Sequence, residues 1–294
     1  MKLSPLLLIL LTSLFLKLGG DLSAENRSER LSLSNSKKET ILVVSSIPPL
    51  ASIALELGGE MVNAHPLVTM NVDPHQFELK PSAITKLEKA QVVLFVGGKF
   101  EFWSKGLDTS IQDKLISIDS FISPDKKIRN NFHYWLDPEL MIPFINKLSS
   151  TFVKIDPDNK EAYNANREAL LSKISNVTEK ISSEIVFWRY KSYFCSHPAW
   201  SYFAKRFGLR EIGCLKTDHL HETNSKTLSQ LSLEASDPLN RIFFLQVNES
   251  LNSAQSFISD NNLKPVILDD LGDIKTSYVD LLMKNISLMS EVMK

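Results

Sequence analysis

"ILVVSSIPPLASIALELGG" (residues 41–59) sets a short unbroken apolar run against a segment of helical spacing that two glycines stop. An unbroken run of that length suits a strand buried on both faces, and a strand followed at once by a helix is the repeating unit of a parallel sheet. The grammar continues downstream. "NAHPLV" (63–68) reads as a second strand, "SAITKLEKA" (82–90) as a helix and "QVVLFVG" (91–97) as a third strand. Residues 100–111 read as one further helix and "KLISID" (114–119) as the fourth strand.

The same order returns after residue 190. "SYFCSH" (192–197) is a strand and "PAWSYFAKRFG" (198–208) a helix closed by glycine. "REIGCL" (210–215), "RIFFLQV" (241–247) and "KPVILDDL" (264–271) supply three more strands, separated by the helices "SKTLSQLSLEA" (225–235) and "SLNSAQSFISD" (250–260), and residues 277–294 close the chain as a helix. The expected fold class is therefore α/β, with two similar lobes, each a four-stranded parallel sheet flanked by helices. Between them no glycine or proline occurs from residue 158 to residue 197, and Leu170, Ile174, Val177, Ile181 and Ile185 recur on one helical face. With Asp156 as N-cap and Pro157 in the first turn, this predicts one rigid helix of roughly thirty residues, about 45 Å long, joining the lobes. Lobes joined by a rod hinge little.

The ends and the composition limit the function. Lys2 precedes an apolar run, Leu6 to Leu16, of about a dozen residues, too short to span a bilayer, and small residues Ser23 and Ala24 follow it. Residues 1–24 read as a cleaved signal peptide, which places the mature chain in the periplasm, with an uncleaved anchor as the rival reading. Residues 25–39 read as a flexible leader, 40–156 as the N-terminal lobe, 157–187 as the linking helix and 188–294 as the C-terminal lobe. With 43% apolar residues and a net charge of −1, the chain is an ordinary globular protein without the basic surplus that nucleic-acid binding needs.

Four polar residues stand where strands end, the place where open parallel sheets bind ligands. His75 lies in "VDPHQFELKP" (72–81), stiffened by Pro74 and Pro81; His133 lies in "FHYWLDP" (132–138). His197 ends the first strand of the second lobe and Asp269 ends its fourth. A histidine beside a proline is more often a hydrogen-bonded loop residue, and a strand-end carboxylate more often a cap. Equivalent positions in two repeated lobes raise all four as ligands, and three imidazoles with one carboxylate are a set that borderline divalent ions accept.

"DPHQFELKPSAITKLEKAQVVLFVG", "HYWLDP", "HPAWSYFAKRFGL", "HETNSKTLSQL" and "ILDDLG", in this order, resemble the zinc- or manganese-binding substrate-binding proteins of bacterial ABC transporters, the cluster A-I metal receptors. The resemblance runs from about Ile41 to the C-terminus. It implies metal ligands at His75, His133, His197 and Asp269, with Asp270 as the neighbour able to displace Asp269. It also implies an extracytoplasmic, monomeric receptor that takes up a divalent ion and delivers it to an ABC membrane permease. Nitrogen-rich tetrahedral donors favour Zn2+; Mn2+, which prefers more oxygen, stays open. The stretch "SPDKKIRNN" (123–131) departs from the His- and acid-rich loop of many zinc receptors, so no metal-collecting loop is expected. His219 and His221 read as solvated loop residues, with a weaker second metal site as the alternative.

Enzyme signatures such as G-x-S-x-G, H-E-x-x-H and the Walker A loop do not occur. A receptor rather than an enzyme is expected; a zinc-dependent hydrolase, which would need Asp269 not to bind, and a surface adhesin are the rivals. Glu78 and Asp137 are candidates for fixing an imidazole tautomer, though capping or surface roles suit them equally, and Trp135 and Trp200 are expected to pack the cleft wall. Cys195 and Cys214 fall in consecutive strands. They read as two buried thiols by default, since a disulfide across adjacent parallel strands is geometrically awkward, with a disulfide in an oxidising compartment as the alternative.

Overall fold

Apolar runs alternate with helices along the chain, and the strands pair into two separate parallel sheets. The computed structural model describes residues 39–69, 72–216, 223–247, 252 and 254–294. The expected signal peptide, nearly all of the leader, and His219 and His221 lie outside the described residues. The first sheet holds β1 (Ile41–Ser45), β2 (Val62–Pro66), β3 (Val92–Phe95) and β4 (Leu115–Ser117) in the order β2-β1-β3-β4. The second holds β5 (Ser192–Cys195), β6 (Arg210–Cys214), β7 (Ile242–Gln246) and β8 (Lys264–Leu268) in the matching order β6-β5-β7-β8. Every pairing is parallel. Strand order reverses at β1 and at β5, so the crevices past their carboxyl ends are the natural ligand positions.

The helices are α1 (Pro48–Gly58), α2 (Pro81–Lys89), α3 (Thr109–Gln112), α4 (Ile142–Ile155), α5 (Lys160–Val186), α6 (Ser201–Phe207), α7 (Ser225–Glu234), α8 (Gln255–Asp260) and α9 (Tyr278–Met293). Two prolines open α1, where their missing amides cost nothing, and Leu50, Ile53, Ala54 and Leu57 are fully buried. Gly208 ends α6 at φ 74°, donating its amide to Ala204 O in the left-handed cap that glycine adopts without strain.

The rod is present. Helix α5 has 27 residues, and Leu170, Ile174, Val177, Ile181 and Ile185 are all buried on one face, joined by Tyr163. That face packs against α1 and α4 of the first lobe and α9 of the second. Each buried aliphatic contributes about 1.5–3 kcal/mol relative to exposure, so a hinge that peeled α5 from either lobe would cost several such terms. One apolar core runs unbroken from Ile41 to Met293. The segment after β8 also reaches back, with Ser52 Oγ donating to Thr276 O at 3.0 Å and Tyr278 N donating to Glu56 Oε1 at 3.2 Å.

Local details depart from the sequence reading. The single helix expected over residues 100–111 is broken into a 3-10 turn, Phe102–Ser104, and the short α3, because Gly106 turns the chain at φ 87° and Asp108 caps a new start by accepting from Ser110 N. Asp156 does not cap α5. Its carboxylate accepts from Asn159 Nδ2 and from Tyr163 Oη at 2.9 Å, across a 3-10 turn at Pro157–Asn159. Cys195 and Cys214 are not thiols but a disulfide. The register between β5 and β6 shifts after Tyr193, skipping Ile212, and brings the two cysteines opposite each other with Cα atoms 4.3 Å apart. A bulge increases local twist, which is how adjacent parallel strands meet the geometry that flat ones miss. Closing the loop across a separation of 19 residues stabilises by about 3 kcal/mol in the chain-entropy account.

Candidate metal centre

Three histidines arrive at one point by three different local devices. Asp73 caps the 3-10 turn Pro74–Gln76: its Oδ1 accepts from His75 N at 2.9 Å and its Oδ2 from Gln76 Nε2 at 2.9 Å. That turn holds the His75 ring edge-on to Phe100, with centroids 4.8 Å apart. His133 precedes the 3-10 turn Tyr134–Leu136, and the buried Trp135 packs against its ring at 5.0 Å. His197 lies two residues past β5 in extended backbone and opens the turn Pro198–Trp200, whose Trp200 is buried like Trp135, as cleft-wall packing requires.

The ring centroids stand 5.5 Å apart for His75 and His133, 5.5 Å for His75 and His197, and 4.9 Å for His133 and His197. One ring nitrogen from each lies within 4.8 Å of the others. His133 and His197 are 1% and 4% exposed, and their Nε2 atoms are 3.2 Å apart. Two nitrogens bound to one tetrahedral zinc at 2.0–2.1 Å would lie about 3.3 Å apart, so this pair already spans one edge of such a site. Two of the ligand candidates belong to the first lobe and one to the second. The site therefore draws on both lobes.

Asp269 is placed otherwise than expected. Its Oδ1 accepts from Leu271 N at 3.2 Å and Gly272 N at 2.7 Å, its Oδ2 is 3.5 Å from Lys284 Nζ, and its main chain pairs with the Asn285 side chain. A carboxylate just past a strand satisfies the unpaired amides of the next turn, a role that competes with metal binding, and Asp269 is not among the ligand atoms gathered within 4.8 Å. The neighbouring Asp270 is 3% exposed, receives Gln246 Nε2 at 3.1 Å, and offers its carbonyl to Trp135 Nε1 at 2.6 Å.

The candidates for holding an imidazole also change. Glu78 is exposed, and Asp137 accepts from Arg206 Nε at 2.9 Å and from Glu139 N at 3.1 Å. Burial raises the Asp137 carboxyl despite the Arg206 guanidinium beside it. A residue that reaches a ring is Asn131, whose Oδ1 lies 3.0 Å from His133 Nδ1. Its only signal in sequence is the spacing: a side-chain amide two residues before a histidine can close an Asx turn on it. Cys195, Cys214 and Glu211 also gather ligand-type atoms within 4.8 Å, but the disulfide already occupies both sulfurs.

Phe100 is carried by a loop that a buried acid fixes. Glu101, 4% exposed, accepts from Val96 N and Gly97 N, each at 2.8 Å. Burial pushes its carboxyl from the ordinary 4.5 up to about 7, against the amide bonds that favour the charged form. The folded state thus holds a proton that the unfolded chain has lost between those pH values, and stability contributed by this group declines as pH rises through that window. The decline is on the order of 3 kcal/mol. Urea unfolding of wild type and Glu101→Gln at pH 4.5 and 7.5 measures it; the variant should be less stable throughout but should lack this part of the slope. Equal slopes would remove the assignment.

Among the described residues no helix is long and apolar enough to cross a membrane. A family model described as "Zinc-uptake complex component A periplasmic" matches residues 43–292. A relative from Thermotoga maritima is 26% identical over 254 residues, covering 86% of this chain and 92% of its own. The high-affinity zinc uptake system protein ZnuA of Bacillus subtilis is 20% identical over 284 residues, covering 88% and 89%. A crystal structure of a zinc-bound ZnuA lacking residues 138–173 superposes with a TM-score of 0.78 at 24% identity, covering 87% of this chain and 99% of that one, a likeness of fold.

Proposed function

Because the chain belongs to the family of the periplasmic component A of zinc-uptake complexes, we propose that it is an extracytoplasmic receptor that captures Zn2+ between its lobes and hands it to an ABC membrane permease. The observation that carries this reading is the convergence of His75, His133 and His197 from both lobes on one point, with two Nε2 atoms 3.2 Å apart. Three imidazoles are nitrogen donors that suit zinc, whereas manganese favours oxygen-rich shells. The fourth position falls to water or to the buried carboxylate of Asp270, since Asp269 caps its own turn.

Three histidines with a fourth position open is also the donor set of catalytic zinc, so donor count alone does not separate capture from hydrolysis. Family membership supports capture, since the relatives are named for uptake and binding. Export by a cleaved N-terminal signal belongs to the same reading. In a bacterium deprived of its own zinc receptor, the wild-type chain with its cognate permease should restore growth under chelation, and a His133→Ala chain should not. Restoration by both chains, or zinc-dependent hydrolysis of ester or amide substrates by the wild type, would count against the receptor.

A further inference from the structure

The Asn131 side chain meets partners on both lobes, and each fixes its orientation independently. On one end Oδ1 accepts from His133 N at 3.0 Å, and a main-chain amide can only donate. On the other, Nδ2 donates to Pro198 O at 2.5 Å, and a proline carbonyl can only accept. The amide cannot be flipped without breaking both. The ring nitrogen facing Oδ1, His133 Nδ1 at 3.0 Å, must therefore carry a proton, and in the neutral ring Nε2 then keeps its lone pair. Nε2 is the nitrogen that points to His197.

We propose that Asn131 is a positioning residue that holds His133 in the Nδ1–H tautomer and does so through its bond to the second lobe, so that metal-ready orientation of a first-lobe ligand depends on the second lobe being docked. This rests on the reading of the three imidazoles as the zinc site. Free histidine in water favours the opposite tautomer, with the proton on Nε2, so the amide works against the ring's own preference. The bond extends further. Asn131 Nδ2 also donates to Ser201 Oγ at 3.0 Å, and the Ser201 hydroxyl is 2.7 Å from Glu211 Oε2, which Tyr193 Oη also meets at 2.9 Å. A carboxylate at the end of that chain polarises Ser201 and then the amide, making Oδ1 a stronger acceptor and Nε2 a better donor to metal.

Two further contacts bind the same two segments: Tyr202 Oη receives Ile128 N at 2.8 Å and donates to Asn131 O at 3.1 Å. Asn131 is 4% exposed, so water does not replace its partners. An isosteric Asn131→Leu removes acceptor and donor together, Asn131→Asp restores the acceptor only, and Ser201→Ala shortens the chain while leaving Asn131 in place.

The test has two arms on the folded chain. Long-range 1H–15N spectra of the metal-free protein report which ring nitrogen of His133 is protonated, and competition with a chelating dye reports zinc affinity. Wild type should show Nδ1 protonated; Asn131→Leu should populate the Nε2–H form and bind zinc about 10–100-fold more weakly. Asn131→Asp should recover most of the affinity, and Ser201→Ala should lose less than Asn131→Leu. A wild-type His133 protonated on Nε2, or an Asn131→Leu protein with unchanged tautomer and affinity, would overturn the proposal; if Asn131→Leu does not fold, the wild-type spectrum and Ser201→Ala still decide. His133→Ala separates the two claims: if it binds zinc as tightly as wild type, the zinc site falls, and the tautomer of the metal-free wild type continues to judge Asn131.

Discussion

His75→Ala, His133→Ala and His197→Ala each weaken zinc binding by on the order of 10²–10³-fold while leaving the protein folded. The size follows from how zinc free energy divides: four-ligand sites hold the ion by roughly 10–16 kcal/mol, so one imidazole accounts for about 2.5–4 kcal/mol. His133 and His197 should lie at the upper end, because both are buried and the Nε2 pair they form is one edge of the site. His75, only half-buried and held by a short capped turn, should lie at the lower end. Truncating His133 also leaves Asn131 Oδ1 with its bond from the His133 main chain, so the fold around it persists. Dye competition against refolded variants, with circular dichroism as the control for folding, gives the ranking. Two histidine variants with wild-type affinity would dissolve the site.

The second large effect is competition by protons. An imidazole binds metal only when neutral, and its ordinary pKa is near 6.5, so acid and zinc contend for the same nitrogens. With three imidazoles in the site, apparent affinity should fall below about pH 6 with a limiting slope near three protons per metal, approaching 10³-fold per pH unit. Carboxylates resist protonation until about pH 4, so a site richer in oxygen would fall less steeply over this range. Titration with a dye of known pH response between pH 5 and 7.5 reads the slope. A limiting value near one would leave at most one imidazole on the metal.

Much of this is legible in the sequence. The four strands of each lobe and the buried face of α5 follow from periodicities, since a short apolar run such as "ILVVSS" followed by a glycine-stopped helix suits a buried parallel strand and a four-three-four spacing buries one helical face. The three histidines were legible as candidates because they stand at strand ends in two repeated lobes, where open parallel sheets bind ligands. Helix α4 passed unrecognised because its apolar residues follow directly on the turn after Pro138 without a separating signal. At Asp269 the sequence places a carboxylate at the strand end but does not say whether it turns to a metal or to the amides of Leu271 and Gly272, which it caps here. The disulfide depended on a one-residue register shift, which no local pattern announces. Asn131 stayed hidden because its role is tertiary: one end of the amide is local, at His133, and the other is on Pro198, in the other lobe.

The central claim is that both lobes together hold one zinc ion on three imidazoles. Metal content by mass spectrometry, after mild purification of the wild-type chain and of the His75, His133 and His197 alanine variants in one batch, tests it most directly. The account predicts one zinc per wild-type chain and substoichiometric metal in each variant. A wild-type chain that carries no zinc when purified from zinc-replete cells, or variants that carry as much as the wild type, would contradict it.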